Sequence, residues 1–255
     1  TAVGYNASRN TTTGGCNTVL GFCALRSNTT GCRNVAVGAG SLKTNTEGDQ
    51  NVAVGREALG VATTADGNTA AGYDSLQANT TGAQNVALGR NALFSNTTAS
   101  FNTAAGINAM YLTTTGASNT FVGQGAGDAN TTASNNNAFG YGALGANTTG
   151  TGNTALGMIC MANCTTGNTN VGVGGNALND LTTGSNNVVV GVDAADVLTT
   201  GGANVAIGKN ALGAQTTASD NTAVGDHAGA SITTGTSNVA LGQASLDVCT
   251  TGAAN

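Results

Sequence analysis

The sequence contains no proline and no tryptophan, and only 7% of its 255 residues are charged. Without proline the chain lacks the fixed-φ breaks that punctuate loop-rich domains. Aromatic residues make up 4% of the total, too few for the large-residue core of an ordinary globular enzyme. Seven lysines and arginines stand against twelve aspartates and glutamates, a net charge of −5. That balance cannot neutralise a phosphate backbone, which excludes nucleic acid as a partner, and it disfavours an anionic membrane surface for the same reason. No stretch approaches the roughly 18 apolar residues of a spanning helix, so no membrane insertion is expected. The chain opens on Thr1 with neither Met nor an apolar leader, which reads as an internal or processed segment.

What the chain has in quantity is glycine, 40 residues, and a repeat. Asparagine falls at every multiple of seventeen from Asn17 to Asn255 without a gap. Numbering columns of the repeat from that Asn, the consensus is N-[TV]-A-[VLI]-G-x-x-A-L-x-x-N-T-T-G-x-x, seen cleanly in 85–101 and 204–220. Column 5 is Gly in all fifteen units, column 13 is Thr in all fifteen, and column 14 is Thr except at Glu47. Seventeen residues are too few for a helix plus a strand with two connections, and the unit lacks the several leucines of a leucine-rich repeat.

These features predict an all-β fold, a parallel β-solenoid of fifteen 17-residue coils, as a single continuous array over 1–255 without caps. Equivalent residues of successive coils then lie about 4.8 Å apart and form ladders, giving a rod roughly 70 Å long. The column-1 residues Asn17, Asn34, Asn51, Asn68 and Asn85 would stack as an amide ladder. Gly38, Gly55 and Gly89 in column 5 would mark a corner needing a special φ or close approach. Thr29, Thr63, Thr80 and Thr97 in column 13 would pack as a β-branched ladder with hydroxyls turned to backbone.

Alternation after the Asn predicts a strand whose larger side chains, such as Val52 with Val54 and Val205 with Ile207, face inward. The small column-3 alanines would then form a flat outer face open to a neighbouring chain. Columns 8 and 9, as in Ala92 with Leu93 and Ala211 with Leu212, supply a second inward contact. Charges at Arg56, Glu57, Asp74, Arg90, Asp193, Lys209 and Asp226 all fall in columns 6 and 7, while columns 2–5, 8 and 9 carry none. Column 12 changes from Asn in most early coils to Cys164, Leu181, Leu198, Ile232 and Cys249 later, which predicts that the later coils bury this corner, either in the rod or against a neighbouring chain.

Chemistry-bearing residues are sparse. The glycine runs Gly123-Gln124-Gly125-Ala126-Gly127 and Gly172-Val173-Gly174 mimic nucleotide loops but arise from the repeat, without a βαβ context. His227 beside Asp226 has no neighbouring nucleophile and reads as a solvated corner. Glu47 with Asp49, and Asp193 with Asp196, lack the convergent oxygens that Ca²⁺ requires. No catalytic, cofactor-binding or metal residues are therefore assigned. Cys16 and Cys32 lie one coil apart with a one-column offset, roughly 5 to 6 Å between Cα atoms, inside the disulfide window; small apolar fillers are the alternative. Tyr5, Phe22, Tyr73 and Tyr141 in column 6 project from a corner, where sugar rings could stack. Sequons at Asn28, Asn79, Asn96, Asn130 and Asn147 would permit a glycan row in a secreted eukaryotic protein.

The strings T-A-V-G-Y-N-A (1–7), N-V-A-V-G-R-E-A-L (51–59), N-V-A-L-G-R-N-A-L-F-S-N-T-T (85–98) and N-T-A-L-G (153–157) resemble the repeats of phage and virus tail-fibre proteins. More distantly, Val205-Ala206-Ile207-Gly208 is similar to the strand of the head repeats of trimeric autotransporter adhesins. The resemblance covers the whole chain and implies a left-handed β-roll, three of which associate side by side, in an extracellular fibre on a virion or cell surface. Here the unit is longer and carries an added Asn-Thr-Thr-Gly corner.

The function expected is a non-catalytic, rigid extracellular shaft for attachment, self-associating as a trimer or filament. A cell-surface glycan or receptor would be met through regions outside these coils. The alternative is a head-to-tail filament subunit, because joining Asn255 to Thr1 continues the register without a break. A further reading, an ice-binding solenoid, rests on the Thr-Thr column, which offers only one Thr rank per face.

Overall fold

The computed structural model describes residues 1–254; Asn255, the last of the asparagine series and the joining point of a head-to-tail register, lies outside the described residues. The chain is all-β and divides into two compact units, Thr1–Thr132 and Ala133–Asn255. Each is a parallel β-solenoid. The first contains β1 (Ala2–Val3), β2 (Thr18–Leu20), β3 (Val35–Val37) and so on at seventeen-residue intervals to β8 (Thr120–Val122). The second runs from β9 (Asn137–Phe139) to β15 (Val239–Leu241). Within each unit neighbouring strands pair in parallel and in register, Val35 opposite Val52 and Val205 opposite Thr222. Identical columns therefore stack on one another, as the repeat requires.

The strands are three residues long because a coil must turn immediately after column 4. Gly55 makes that turn at φ 138°, and a Cβ there would sit 2.3 Å from the Gly72 carbonyl oxygen of the next coil. Gly38 and Gly89 repeat the geometry, with the next coil's carbonyl oxygen at 2.4 and 2.7 Å. No other residue fits, which accounts for the unbroken glycine column.

The strand faces are the reverse of the predicted orientation. Column 3 is the interior: Ala36, Ala53, Ala87 and Ala206 are fully buried, whereas Leu88 is 42% and Ile207 40% exposed. Val52 and Val205 are only half-buried, and Val54 is exposed. The cause is the narrow cross-section of the coil. Opposite column 3 stands column 9, whose leucines and methionines fill the interior, so only a small residue fits in front of them. Exceptions confirm the packing. Where column 3 is Phe121, column 9 is Gly127, and a Cβ on Gly127 would fall 1.7 Å from the Phe121 ring. Where columns 8 and 9 are Cys160 and Met161, the next column 3 is Gly172, whose Cβ would lie 2.7 Å from the Cys160 sulfur. Interior volume thus explains Gly127 and Gly172 of the two glycine runs that imitate nucleotide loops, while Gly123 and Gly174 are corner glycines of column 5.

Columns 8 and 9 both face inward, as expected: Ala92, Leu93, Ala211 and Leu212 are fully buried. Two successive residues can do so because column 9 takes the left-handed conformation, φ 50° at Leu59 and 52° at Leu93, which breaks the two-residue alternation of extended chain. Column 7 is left-handed too, at Glu57 and Asp74, as is column 17 at Gln50 and Gln84. Column 12 is inward in all but the terminal coils, where Thr11 and Cys249 are only half-buried. Leu181, Leu198 and Ile232 are fully buried within the chain, and so are Asn28, Asn45, Asn79 and Asn96 of the earlier coils.

Candidate functional site

The residues that repeat most strictly form hydrogen-bonded ladders. Each column-1 Asn acts in two directions. The Asn34 Oδ1 accepts the backbone N–H of Asn51 at 2.9 Å, and the Asn34 Nδ2 donates to the Gly48 carbonyl across the coil at 2.8 Å. Asn17, Asn51, Asn68 and Asn85 accept the next coil's Asn N–H in the same way. In several steps the amides also bond to each other, Asn68 Nδ2 donating to Asn51 Oδ1 and Asn85 Nδ2 to Asn68 Oδ1, both at 3.1 Å. A buried amide with all its partners on neighbouring backbone is inexpensive to bury. No shorter or longer polar side chain spans both partners.

Column 13 is a second ladder. The Thr29 hydroxyl donates to the Thr46 carbonyl at 2.9 Å, and Thr63, Thr80 and Thr97 donate likewise to the Thr of the following coil. The hydroxyls of this column are therefore engaged within the solenoid, and column 14 holds the exposed threonines, such as Thr30 and Thr64. Column 16 adds a third type of rung on the surface: Asp49 accepts the Cys32 N–H, Asp66 the Asp49 N–H, and Ser100 the Ala83 N–H. The Asp49 carboxylate belongs to this rung, not to a paired site with Glu47.

Cys16 and Cys32 are free thiols, which corrects the predicted bridge. Cys32 turns back over its own coil, its sulfur 3.2 Å from the Thr30 carbonyl and accepting the Gly15 N–H at 3.3 Å. Cys16, in the adjacent column with φ 58°, is exposed. Cys160 and Cys164 are also free but buried, and burial pushes their thiols up to about 12 and about 11. Both stay protonated near neutral pH and act as apolar fillers, not nucleophiles.

Three of the four column-6 aromatics, Tyr5, Phe22 and Tyr73, meet a neighbour in the ladder. Tyr5 and Phe22 lie 5.6 Å apart with nearly parallel rings, and the Arg56 guanidinium sits over Tyr73 while donating to its hydroxyl. In these two pairs one face of each ring is turned along the axis onto its ladder neighbour and is thereby closed to a sugar. Phe94 and Tyr111 in column 10 form a similar pair, at 5.2 Å. The sequon asparagines Asn28, Asn79, Asn96, Asn130 and Asn147 are all fully buried in column 12. Asn28, Asn79, Asn96 and Asn147 each donate to the carbonyl three residues on. A glycan row there is incompatible with the folded coil.

His227 contacts Asp226 at 3.1 Å and the Asn210 amide at 3.0 Å on an exposed corner. Asp196 has its carboxyl pushed above the ordinary range by burial first and by the nearby negative charge of Asp193 second. Among the described residues no three His, Cys, Asp or Glu side chains gather as metal ligands, and no helix is long and apolar enough to cross a membrane.

The feature that sequence reasoning misplaced is the outer strand wall. Columns 2 and 4 present Val, Leu, Ile and Thr outward from both units, with no charge in either column. The exchange of volume between columns 3 and 9 was the signal that would have located it. No protein-family model matches the sequence, and neither a curated protein nor a solved structure matches the chain.

Proposed function

We propose that the protein is a non-catalytic structural element, a rigid β-solenoid shaft of an extracellular fibre used for attachment, in which copies of the chain associate. The observation that supports this reading is the column-1 ladder. Its polar groups are spent within the solenoid instead of converging on a cleft, Asn187 Oδ1 accepting the Asn204 N–H of the next coil and Asn187 Nδ2 donating across its own coil to the Gly201 carbonyl. Repeated coil after coil, such bonds resist bending and unwinding, because every coil must break several buried hydrogen bonds to separate from the next. A shaft of this kind acts by length and stiffness and presents a binding region outside the coils to a glycan or receptor.

Cryo-electron microscopy of the native particle, with intact mass of the mature polypeptide, tests the reading. The expected result is a rod with a layer line near ~4.8 Å that continues into different sequence in a polypeptide much larger than 24.5 kDa. A mature chain of 24.5 kDa whose layer line runs unbroken into the Thr1 of another copy replaces the shaft with a head-to-tail filament. A particle with no axial repeat of that spacing overturns both.

A further inference from the structure

We infer that the outward strand wall is a lateral docking face whose occupant is the same wall of a second copy of this chain. The inference rests on the self-associating fibre reading and adds the face through which the association is made.

In the second unit, column 4 carries Phe139, Leu156, Val190, Ile207 and Leu241, all exposed, on strands whose buried column faces the other way. Beside it, Val188 and Val239 of column 2 are exposed, and Tyr141, Met158 and Val192 of column 6 extend the apolar surface past the glycine corner. The first unit has the same wall, with Leu20, Val54 and Leu88 in column 4 and Tyr5, Phe22 and Ile107 in column 6. Parallel sheets are normally covered on both faces. Here the inner face is covered by columns 8, 9 and 12 of the chain itself, and none of the described residues covers the outer one.

Size, charge and period select the occupant. Seven or eight strands at about 4.8 Å, and a width of roughly 15 Å across the columns, give on the order of 500 Å² per unit. That is at the upper end of what a monomer leaves uncovered, and two such walls pressed together bury on the order of 1,000 Å² in total, the size at which a specific interface begins. Columns 2 to 4 carry no charged side chain in any coil, and column 6 at their margin carries only Arg56, Arg90, Lys209 and Asp226, so a highly charged partner finds little to pair with and two identical walls meet with little repulsion. The side chains recur at the strand spacing. A second solenoid of the same period matches that spacing along its whole length, with the Leu and Ile ridges of one wall entering the Thr and Ala gaps of the other, as in face-to-face sheets about 10 Å apart.

Analytical ultracentrifugation of the chain tests this, comparing it with the variant L156K/V190K/I207K and with T149K/T166K/T183K, which adds the same charge to the exposed column 14. All six positions point outward, and circular dichroism verifies that each variant keeps its strand signal; a milder L156T/V190T/I207T variant serves if the lysines disturb the fold. The expected result is an associating parent, a wall variant whose dissociation constant rises at least tenfold, and a column-14 variant that associates like the parent. If the wall variants associate as tightly as the parent, the face is wrong although self-association stands. If the parent is monomeric at about 100 µM, self-association fails with it.

Discussion

Column 12 solves one packing problem in two ways. In the first unit it is mainly Asn, and Asn28, Asn45, Asn79 and Asn96 donate to the column-15 carbonyls of Gly31, Gly48, Gly82 and Ala99. In the second unit Leu181, Leu198 and Ile232 occupy the same buried site with no polar group at all. The backbone tolerates both because the column-15 carbonyl has another donor. Gly48 and Gly82 already receive Asn34 and Asn68 of column 1, and Gly184 and Gly201 receive Asn170 and Asn187. The column-12 amide is thus a redundant donor, whereas the column-1 amide is not. Invariance of column 1 and drift of column 12 follow from that one difference.

The largest expected effect is on column 1, and it should be alike in both units. Asn51→Leu removes the sole side-chain donor to the Ala65 carbonyl, because column 12 of that coil is Ala62, and also removes the acceptor for the Asn68 N–H. Two buried backbone groups left unpaired cost roughly 2–6 kcal/mol. Asn187→Leu strands the Gly201 carbonyl and the Asn204 N–H in the same manner. Urea denaturation should place both variants far below the parent; a loss confined to one unit would mean that the ladders are not equivalent.

Column 12 should respond asymmetrically. Leu181→Asn gives up buried apolar volume and inserts an amide oxygen facing Leu198 of the next coil, which offers no donor, for a loss of about 2–4 kcal/mol. Asn79→Leu leaves the Gly82 carbonyl bonded to Asn68 and costs Asn96 Nδ2 one of its two acceptors, the Ala99 carbonyl remaining, so it should fall within about 1–2 kcal/mol of the parent. Equal losses for the two substitutions would show that the amide is not redundant.

Much of this was legible beforehand. The seventeen-residue register, the glycine corner, the inward Ala-Leu pair and the outward charges all follow from the spacing of residues in one unit. The strand orientation did not, because alternation in Val52-Ala53-Val54 identifies two faces without saying which is inside. The answer lay across the coil. The pairs Phe121 with Gly127 and Val189 with Ala195 trade volume between columns 3 and 9, and such trades occur only between side chains that share an interior. Left-handed residues were half legible. Column 7 is rich in Asn, Asp and Gly, which favour that conformation, but column 9 is mostly Leu, and nothing in its chemistry marks a positive φ. The Cys16 and Cys32 spacing satisfied a distance and could not reveal that the Cys32 thiol turns back over Thr30.

A gain of stability is expected where the first unit's amide column is interrupted. Asn45 Nδ2 donates to Asn28 Oδ1 at 3.0 Å and Asn96 Nδ2 to Asn79 Oδ1 at 2.8 Å, but Asn45 Oδ1 faces the coil of Ala62 and is buried without a partner. Ala62→Asn supplies a donor to Asn45 and an acceptor for Asn79, joining the two short stacks. The gain should be about 1 kcal/mol, read as a higher melting temperature; a lower one would mean that the site has no room for the amide.

The smallest effect separates the units by charge. Residues 1–132 hold six basic and six acidic side chains, and residues 133–255 hold one and six. In the first unit Glu57 pairs with Lys43, and Asp49 and Asp66 accept backbone N–H groups. In the second, Asp196 is half-buried and lies near the negative charges of Asp193 and Asp180, and burial, followed by these charges, raises its carboxyl above the usual 3.8. A raised carboxylate means that the folded state binds a proton more readily than the unfolded one. Stability therefore falls as pH rises through the folded pKa, and the penalty is fully present at neutral pH. Asp196→Asn should stabilise the chain slightly at pH 7, give nothing once the pH is below the ordinary carboxylate range, and flatten the dependence between. Denaturant midpoints of parent and variant at pH 3, 5 and 7 measure this, and a stabilisation that is the same at all three would assign the gain to packing instead of charge.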